Sequence, residues 1–234
     1  MFFLFISALL ADTIIDGVSY KLDQETGEAG ITKSTCPTSD KSLNLKGTFT
    51  EETYQYTLVS IEEDAFNGCE HLIGDLTIPD TVTFIGYKAF SNCGFTGSLT
   101  FNAPVDIDAS LFSGSNKWTG DLTIGDKVPS IGARAFEELF LNGKKLTIGS
   151  SVSSIGSMAF YGCKFSNIDT ITIPPSVKSL GNQFLGHVTG PKNLDLQAAV
   201  EVLTQGDMTH LESFETLQIT NAKALGEKCL FGYK

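Results

Sequence analysis

The sequence predicts a β-rich solenoid, in which coils of about 23 residues stack a parallel sheet behind an N-terminal β-hairpin cap. The first observation is a string at residues 76–93, LTIPDTVTFIGYKAFSNC, that returns in altered form along most of the chain. The second is its regular spacing, because the copies start at Leu76, Leu99, Leu122, Leu146, Ile171, Leu194 and Leu217. A unit this short buries its apolar residues only against neighbouring units, so we expect one elongated domain.

Each copy opens with a three-residue strand whose first and third residues point inward and whose middle residue points outward. In a parallel stack the middle residues align into one exposed row: Thr77, Thr100, Thr123, Thr147, Thr172, Asp195 and Gln218. Threonine is a good strand former and suits any exposed β surface, so the row alone does not indicate function. Solenoids nevertheless bind along such faces, and this row is our candidate protein-binding surface.

The later positions of each copy predict the packing of the interior. A glycine stands where the coil bends tightly or backbones approach closely, as at Gly86 and Gly156. A small residue then precedes an aromatic one, at Phe66, Phe90, Phe112, Phe136, Phe160 and Phe184, which predicts one internal ladder of rings. On this alignment the fifth unit is one residue short between Gly181 and Phe184.

Residues 12–57 are predicted to cap the first coil, and residues 58–234 to form the solenoid. Alternating residues from Val18 to Leu22 and a polar turn at 23–27 predict a first hairpin. A second hairpin is expected around Glu51 and Glu52, and residues 43–45 resemble a first repeat strand. A bare solenoid end exposes apolar surface and unpaired strand edges, which is why a cap is needed.

Residues 1–11 (MFFLFISALLA) form an apolar run that is too short to span a bilayer. The run fits the apolar part of a cleaved signal peptide, with Ala11 before the cut, although it lacks a positive charge at its start. A buried N-terminal strand is the alternative. The signal peptide, if present, places the protein outside the cell or at its surface.

The five cysteines show no metal-ligand spacing. Cys69, Cys93 and Cys163 each follow a repeat aromatic by three residues, which indicates small buried side chains. Cys69 and Cys93 lie in adjacent repeats and are able to bridge, but free thiols are favoured because other repeats place Ser115, Leu139 and His187 at this position. The pairing stays open.

Charge and motifs exclude several functions. A net charge of −11 argues against nucleic acid and against a polybasic membrane patch. Asp106 and Asp108 flank one apolar residue, but no further acidic ligand stands beside them, so we predict no metal and no cofactor. No nucleophile motif or phosphate loop is present, and we predict no catalytic residue.

Trp118, the single tryptophan, lies in a Gly-rich connection at residues 113–120. It is either an exposed contact, since aromatic anchors are favoured at interfaces, or a ring folded back on the coil. It completes our candidate protein-binding residues.

The pattern L-x-I-P-x-x-V-x-x-I-G-x-x-A-F-x-x-C resembles the BspA-like leucine-rich repeats of bacterial and protist surface proteins. The resemblance implies a leucine-rich-repeat solenoid with no family catalytic residue, and adhesion to extracellular matrix or cell-surface proteins. We therefore expect a non-enzymatic, secreted or surface-displayed recognition protein. The alternatives are a self-associating structural coat that uses the C-terminal end, and an enzyme with a site in the irregular second unit.

Overall fold

The computed structural model describes residues 12–109, 111–203, 206, 210–211 and 213–225. The first strands are β1 (Thr13–Ile15), β2 (Val18–Asp23), β3 (Glu28–Ile31), β4 (Lys41–Ser42), β5 (Thr48–Glu51) and β6 (Tyr54–Ile61). They are followed by β7 (Leu72–Ile73), β8 (Leu76–Ile78), β9 (Phe84–Ile85), β10 (Leu99–Phe101), β11 (Leu122–Ile124), β12 (Ser130–Ile131), β13 (Phe140–Leu141) and β14 (Leu146–Ile148). The last are β15 (Ser154–Ile155), β16 (Lys164–Phe165), β17 (Thr170–Ile173), β18 (Ser179–Leu180), β19 (Asn193–Leu196), β20 (Val202–Leu203), β21 (Thr216–Ile219) and β22 (Ala224–Leu225). In these ranges no helix is long and apolar enough to cross a membrane.

The parallel solenoid is confirmed by the pairing of the first strand of each copy with the same strand of the next. β8, β10, β11 and β14 form one parallel sheet in which each leucine pairs with the leucine one coil away. β17, β19 and β21 form a second parallel sheet with the same register. The inward residues of β8, β17 and β19 are buried and those of β21 are half-buried, as the alternation of strand side chains requires.

A second side of each coil carries a shorter strand that ends in the repeat isoleucine or leucine. β12, β15 and β18 pair in parallel, with Ile131 beside Ile155 and Ile155 beside Leu180. β9 extends β6 in the same way, since Ile61 pairs with Ile85. A third side holds the two-stranded pair β13–β16. The coil is therefore closed around a core from three sides.

The aromatic ladder is confirmed for five rings. Phe66, Phe90, Phe112, Phe136 and Phe160 stack in order, with centroids 5.3, 5.9, 6.0 and 5.3 Å apart and planes within 19° of parallel. All five rings are buried. Offset stacking at these distances adds to the stabilisation that burial of the rings already supplies.

The expected place of Phe184 in this ladder is wrong by one residue. The amide of Phe160 donates to the carbonyl of Phe184, just as the amide of Phe136 donates to that of Ala159. Phe184 therefore takes the small-residue position, and Leu185 takes the aromatic one. The fifth unit is therefore not short. The backbone hydrogen bonds between coils fix which residues are equivalent, whatever the size of their side chains.

The repeat glycines stand where backbones of adjacent coils touch. A Cβ on Gly156 would lie 2.4 Å from the amide nitrogen of Ala133, and one on Gly181 would lie 2.1 Å from that of Ser157. Real Cβ atoms do not approach backbone so closely. Close approach between coils, expected from the sequence, is thus the reason for glycine here.

Gly156→Ala is expected to lower the free energy of unfolding by about 1–3 kcal/mol, because the added methyl pushes two coils apart. Ser157→Ala is the matched control, since Ser157 is exposed and should change stability by less than about 0.5 kcal/mol. Urea unfolding of both variants measures the difference. Equal stability of the two would contradict the close-approach explanation.

The cap is built from the two predicted hairpins. β2 and β3 pair antiparallel, and so do β5 and β6. β3 also pairs in parallel with β6, which places Ile31 beside Ile61 at the end of the second-side sheet. The hairpins therefore continue a sheet of the solenoid and cover its first coil, and β6 runs through residues 57 and 58.

The expected repeat strand at residues 43–45 is wrong. The strand in this region is β4, two residues earlier, and it pairs in parallel with β7. Leu43 and Leu45 are nevertheless buried, because the chain beyond β4 still packs on the first coil. Apolar alternation thus located the packing of this segment but not its hydrogen bonds.

The cysteine pairing also differs from what we expected. Cys69 bonds to Cys36, in the cap, with a Cα–Cα distance of 4.9 Å. Cys93 and Cys163 are free and buried, as predicted for that position. The disulfide ties residue 36 of the cap to the first coil. The predicted signal peptide at 1–11 and the C-terminal end at 226–234 lie outside the described residues.

Candidate functional site

The row predicted from the strand pattern is a real alignment on the first side of the solenoid. Thr77, Thr100, Thr123 and Thr147 pair in register across one sheet. Thr172, Asp195 and Gln218 pair in register across the next. We call these seven residues the threonine face. Exposure varies along the row: Thr77, Thr172 and Gln218 are exposed, whereas Thr100, Thr123, Thr147 and Asp195 are half-buried.

The part of the face nearer the C-terminus is more polar. One carboxylate oxygen of Asp195 accepts a hydrogen bond from Gln197 Nε2 at 2.6 Å. Beside it, Thr216 Oγ1 donates to Asn193 Oδ1 at 2.5 Å, and Asn193 Nδ2 donates to Asp169 Oδ2 at 2.7 Å. Hydroxyl, amide and carboxylate groups thus hydrogen-bond to one another along this part of the face, while Asp195 Oδ1 is buried without a hydrogen-bond partner among the described residues.

Carboxylates hold the turns at the edges of the face. The backbone amide of Ser98 donates to Asp75 Oδ1 at 2.6 Å, and that of Lys144 donates to Asp121 Oδ1 at 2.7 Å. Asp126 accepts from both the amide and the hydroxyl of Ser150, and these bonds hold its pKa below the usual range. These side chains link one coil to the next and fix the loops that flank the face.

Trp118 does not belong to this surface, which corrects its inclusion among the binding residues. The ring is completely buried and stacks on Phe95 with centroids 5.2 Å apart. Its Nε1 donates to the carbonyl of Ser115 at 2.8 Å, so the polar edge is satisfied inside the protein. Of the two alternatives left open by the sequence, the folded-back ring is the correct one.

A sequence signal for the burial of Trp118 exists. In three other copies an apolar residue stands five positions after the repeat aromatic. These residues are Phe95, Leu141 and Phe165, and all three are buried. In those copies the apolar residue comes two residues after the position that Ser115 occupies here, whereas Trp118 comes three residues after Ser115. One extra residue in the connection therefore hides the equivalence. The stack on Phe95 shows that Trp118 fills the same row.

In three copies the residue three positions after the aromatic makes a side-chain hydrogen bond that the sequence did not reveal. Cys93 Sγ donates to the carbonyl of Phe66 at 3.1 Å, Ser115 Oγ to that of Phe90 at 2.7 Å, and Cys163 Sγ to that of Phe136 at 2.9 Å. Each side chain thus satisfies a buried carbonyl of the preceding coil. Val188, and not His187, occupies this position in the fifth unit. The backbone amide of Val188 donates to the carbonyl of Leu185, just as the amide of Cys163 donates to the carbonyl of Phe160.

The two free thiols within the described residues, Cys93 and Cys163, are poor nucleophiles in this setting. Burial raises the pKa of Cys93 to about 12, and burial also raises the pKa of Cys163 far above its ordinary value. A thiolate is the reactive form, and neither side chain reaches it near neutral pH. Both cysteines are therefore packing and hydrogen-bonding residues.

The acidic pair that was weighed as a cation site has structural partners. Asp106 Oδ1 accepts from Ser130 Oγ at 2.6 Å, and Asp108 Oδ1 accepts from the amide of Ala109 at 3.0 Å. His71 lies apart from them, with Nδ1 3.1 Å from Asp40 Oδ1. Across the described ranges, no three His, Cys, Asp or Glu side chains come together in a group able to hold a metal ion.

A second outward row was missed. Ser130, Ser154 and Ser179 align in register on β12, β15 and β18, and we call them the serine row. Its signal was present in the sequence, since a serine precedes the repeat isoleucine or leucine in these three copies. The solenoid thus presents two flat polar faces in the same coils, which permits a matched test of which one binds.

Comparison of the sequence with family models gives a match to the BspA type leucine rich repeat region, in six copies over residues 39–165 and 105–233. No curated protein matches the sequence.

Solved structures of leucine-rich repeat proteins share the fold. A leucine rich cell surface protein of Faecalibacterium prausnitzii is 21% identical, with a TM-score of 0.53 over 81% of this chain and 55% of its own. The leucine rich repeat protein of T. pallidum is 18% identical, with a TM-score of 0.54 over 95% and 89%. The pneumococcal vaccine antigen PcpA is 16% identical, with a TM-score of 0.54 over 92% and 64%. This chain therefore spans little more than half of the first protein and under two thirds of the third.

The family match covers most of the chain, and it agrees with the parallel pairing, the aromatic ladder and the positions read from the repeat. The chain belongs to the family of BspA type leucine-rich repeat proteins.

Proposed function

We propose that this protein is a non-enzymatic recognition protein, secreted or held at the cell surface, that binds extracellular matrix or cell-surface proteins through the threonine face. The observation that carries the proposal is the register of Thr77, Thr100, Thr123 and Thr147 on one sheet, where each is exposed or half-buried. A row of aligned hydroxyls on a rigid sheet gives a partner fixed hydrogen-bonding positions without ordering cost.

The threonine face is too small to form a standard protein–protein interface by itself. Seven strands at a spacing of about 4.8 Å, each about 10 Å long, give roughly 300 Å² of flat surface. A standard interface buries about 800 Å² on each partner. The loops held by Asp75 and Asp121 must therefore contribute, and a contact through the strands alone would be weak and transient.

Location outside the cytoplasm is supported by two observations. The Cys36–Cys69 disulfide is of a kind that persists in oxidising compartments and is rare in the cytosol. One structural neighbour is described as a cell surface protein and another as a vaccine antigen. Both descriptions fit a protein displayed to other cells.

The test replaces Thr123 and Thr147 together by arginine at the centre of the face. Binding of the purified chain to immobilised matrix proteins and to host cells is expected to fall roughly tenfold or more, because two long charged side chains stand where a partner must come close. A pull-down from matrix and cell-surface proteins first identifies the ligand, and titration of that ligand then measures the loss.

Ser130→Arg with Ser154→Arg is the matched control, since it adds the same charges to neighbouring coils on the serine row. Binding by this control should match that of the unmodified chain. Loss of binding in the control but not in the threonine-face variant would transfer the function to the other face. Unchanged binding in both, with an intact fold, would remove these two sheet faces from the proposal.

A further inference from the structure

A cavity of about 530 Å³ lies between the cap and the first coil. Its walls come from the β1–β2 turn, from β5, from the loop around β4 and from the first coil of the solenoid. The volume falls within the range of about 300–1,000 Å³ that is typical of small-molecule sites. The threonine face contributes none of its lining residues.

Aromatic rings form one part of the apolar cavity wall, and aliphatic side chains such as Ile15 and Leu43 form the rest. Phe66 is the first ring of the internal ladder: it stacks on Phe90, and among the described residues no ring stacks on it from the side of the cap. Tyr20 and Phe49, 5.0 Å apart, provide further aromatic surface. Phe66 is only 2% and Tyr20 6% exposed, whereas Phe49 is half-buried. A planar apolar group in the cavity would therefore pack mainly against Phe49 and touch the exposed edges of the other two rings.

The charged groups of the wall favour an anion. Lys41 and Lys46 line the cavity, and neither pairs with a carboxylate among the residues that the structure describes. Lys41 Nζ donates instead to the backbone carbonyl of Asp16 at 2.5 Å. Asp16 is the single acidic residue of the lining, so the wall carries a net positive charge in a protein of net charge −11.

Neutral donors are also available at the wall. Burial, and then the carboxylate of Asp16, raise the pKa of Tyr20, so its hydroxyl keeps its proton near neutral pH. The hydroxyl of Thr48 lies on the same lining, whereas the buried hydroxyl of Ser34 already donates to the carbonyl of Thr32. A carboxylate in the cavity would find both cations and hydroxyl donors around it.

We infer that this cavity binds a small aromatic carboxylate, with the ring against Phe49 and the exposed edges of Phe66 and Tyr20, and with the carboxylate toward Lys41 and Lys46. The rings supply an apolar and planar surface, and the lysines distinguish an acid from its neutral analogue. The site is separate from the threonine face, so the protein has a small-molecule site in addition to its protein-binding surface.

The test measures binding of 2-naphthoate and of its neutral analogue 2-naphthalenemethanol to the full chain by titration calorimetry. We expect saturable binding of the naphthoate with a Kd of about 1 mM or below, and weaker binding of the alcohol. No saturable binding of the naphthoate, or equal binding of the two probes, overturns the proposal.

Variants place the binding in this cavity. Lys46→Gln should weaken the naphthoate about two- to fivefold and leave the alcohol unchanged, as expected for an exposed charge pair. Lys144→Gln, which makes the same charge change at an exposed site outside the cavity, should change neither probe. Thr50→Trp, which puts an indole at the wall, should weaken both probes. An equal effect of Lys144→Gln and Lys46→Gln, or no effect of Thr50→Trp, would contradict binding at this site.

Discussion

Phe136→Ala is expected to lower the free energy of unfolding by about 3–5 kcal/mol. Phe136 is buried, and its ring stacks on Phe112 at 6.0 Å and on Phe160 at 5.3 Å. Its loss leaves a cavity in the middle of the ladder and removes two ring contacts at once. In a stacked solenoid this loss of packing also destabilises both neighbouring coils, because each coil is stabilised mainly by its contacts with the next.

Urea unfolding followed by the intrinsic fluorescence of Trp118 measures this loss. The single tryptophan is buried and lies edge-on to Phe112, next to the altered rung. Phe140→Ala is the matched control, because that ring is 41% exposed and its truncation leaves no internal cavity. Similar destabilisation by the two variants would show that the ladder is not the main packing element.

Removal of the disulfide is expected to lower the free energy of unfolding by about 3–4 kcal/mol. Cys36 and Cys69 are 33 residues apart in sequence, so the bond restricts a long loop of the unfolded chain. Cys36→Ala removes it. The cap should then separate from the first coil more readily, since Cys36 is the covalent link between them.

A reducing agent supplies the control for this experiment. It should destabilise the unmodified chain to the same degree as Cys36→Ala, and it should not affect Cys36→Ala further, because among the described residues Cys36–Cys69 is the one disulfide and Cys93 and Cys163 are free thiols. An unfolding midpoint that does not respond to reduction would contradict the pairing.

Periodicity predicted the parts of the fold in which each residue has an equivalent one coil away. The threonine alignment, the five-ring ladder and the close approach at Gly156 all depend on that equivalence. The candidate face was predictable for the same reason, because parallel pairing in register brings equivalent positions side by side.

The predictions that were wrong concern residues where the repeat is interrupted, or a residue whose side-chain size suggested the wrong repeat position. Cys36 lies in the irregular cap, so nothing in the repeat brings it to Cys69. Trp118 is displaced by one residue in its connection, and its burial depends on a stack with Phe95. Phe184 was matched to the ladder by its ring, whereas the hydrogen bonds between coils assign the aromatic position to Leu185. The cavity under the cap arises from packing between hairpins and coil, which has no counterpart in the sequence pattern.

The same coils carry two polar faces, the threonine face and the serine row, and the proposed function requires that only one of them binds the partner. The threonine face and the serine row are both polar, regular and accessible, and composition does not distinguish them. The threonine face extends over more coils and ends in the polar groups around Asp195 and Asn193. We therefore propose that recognition occurs on that side.

Site-specific photo-crosslinking tests this assignment most directly. A photo-reactive residue at Thr123 is expected to become covalently linked to the matrix or cell-surface ligand, while the same residue at Ser154, on the serine row, is expected to give no product. Crosslinking from Ser154 and not from Thr123 would contradict the account.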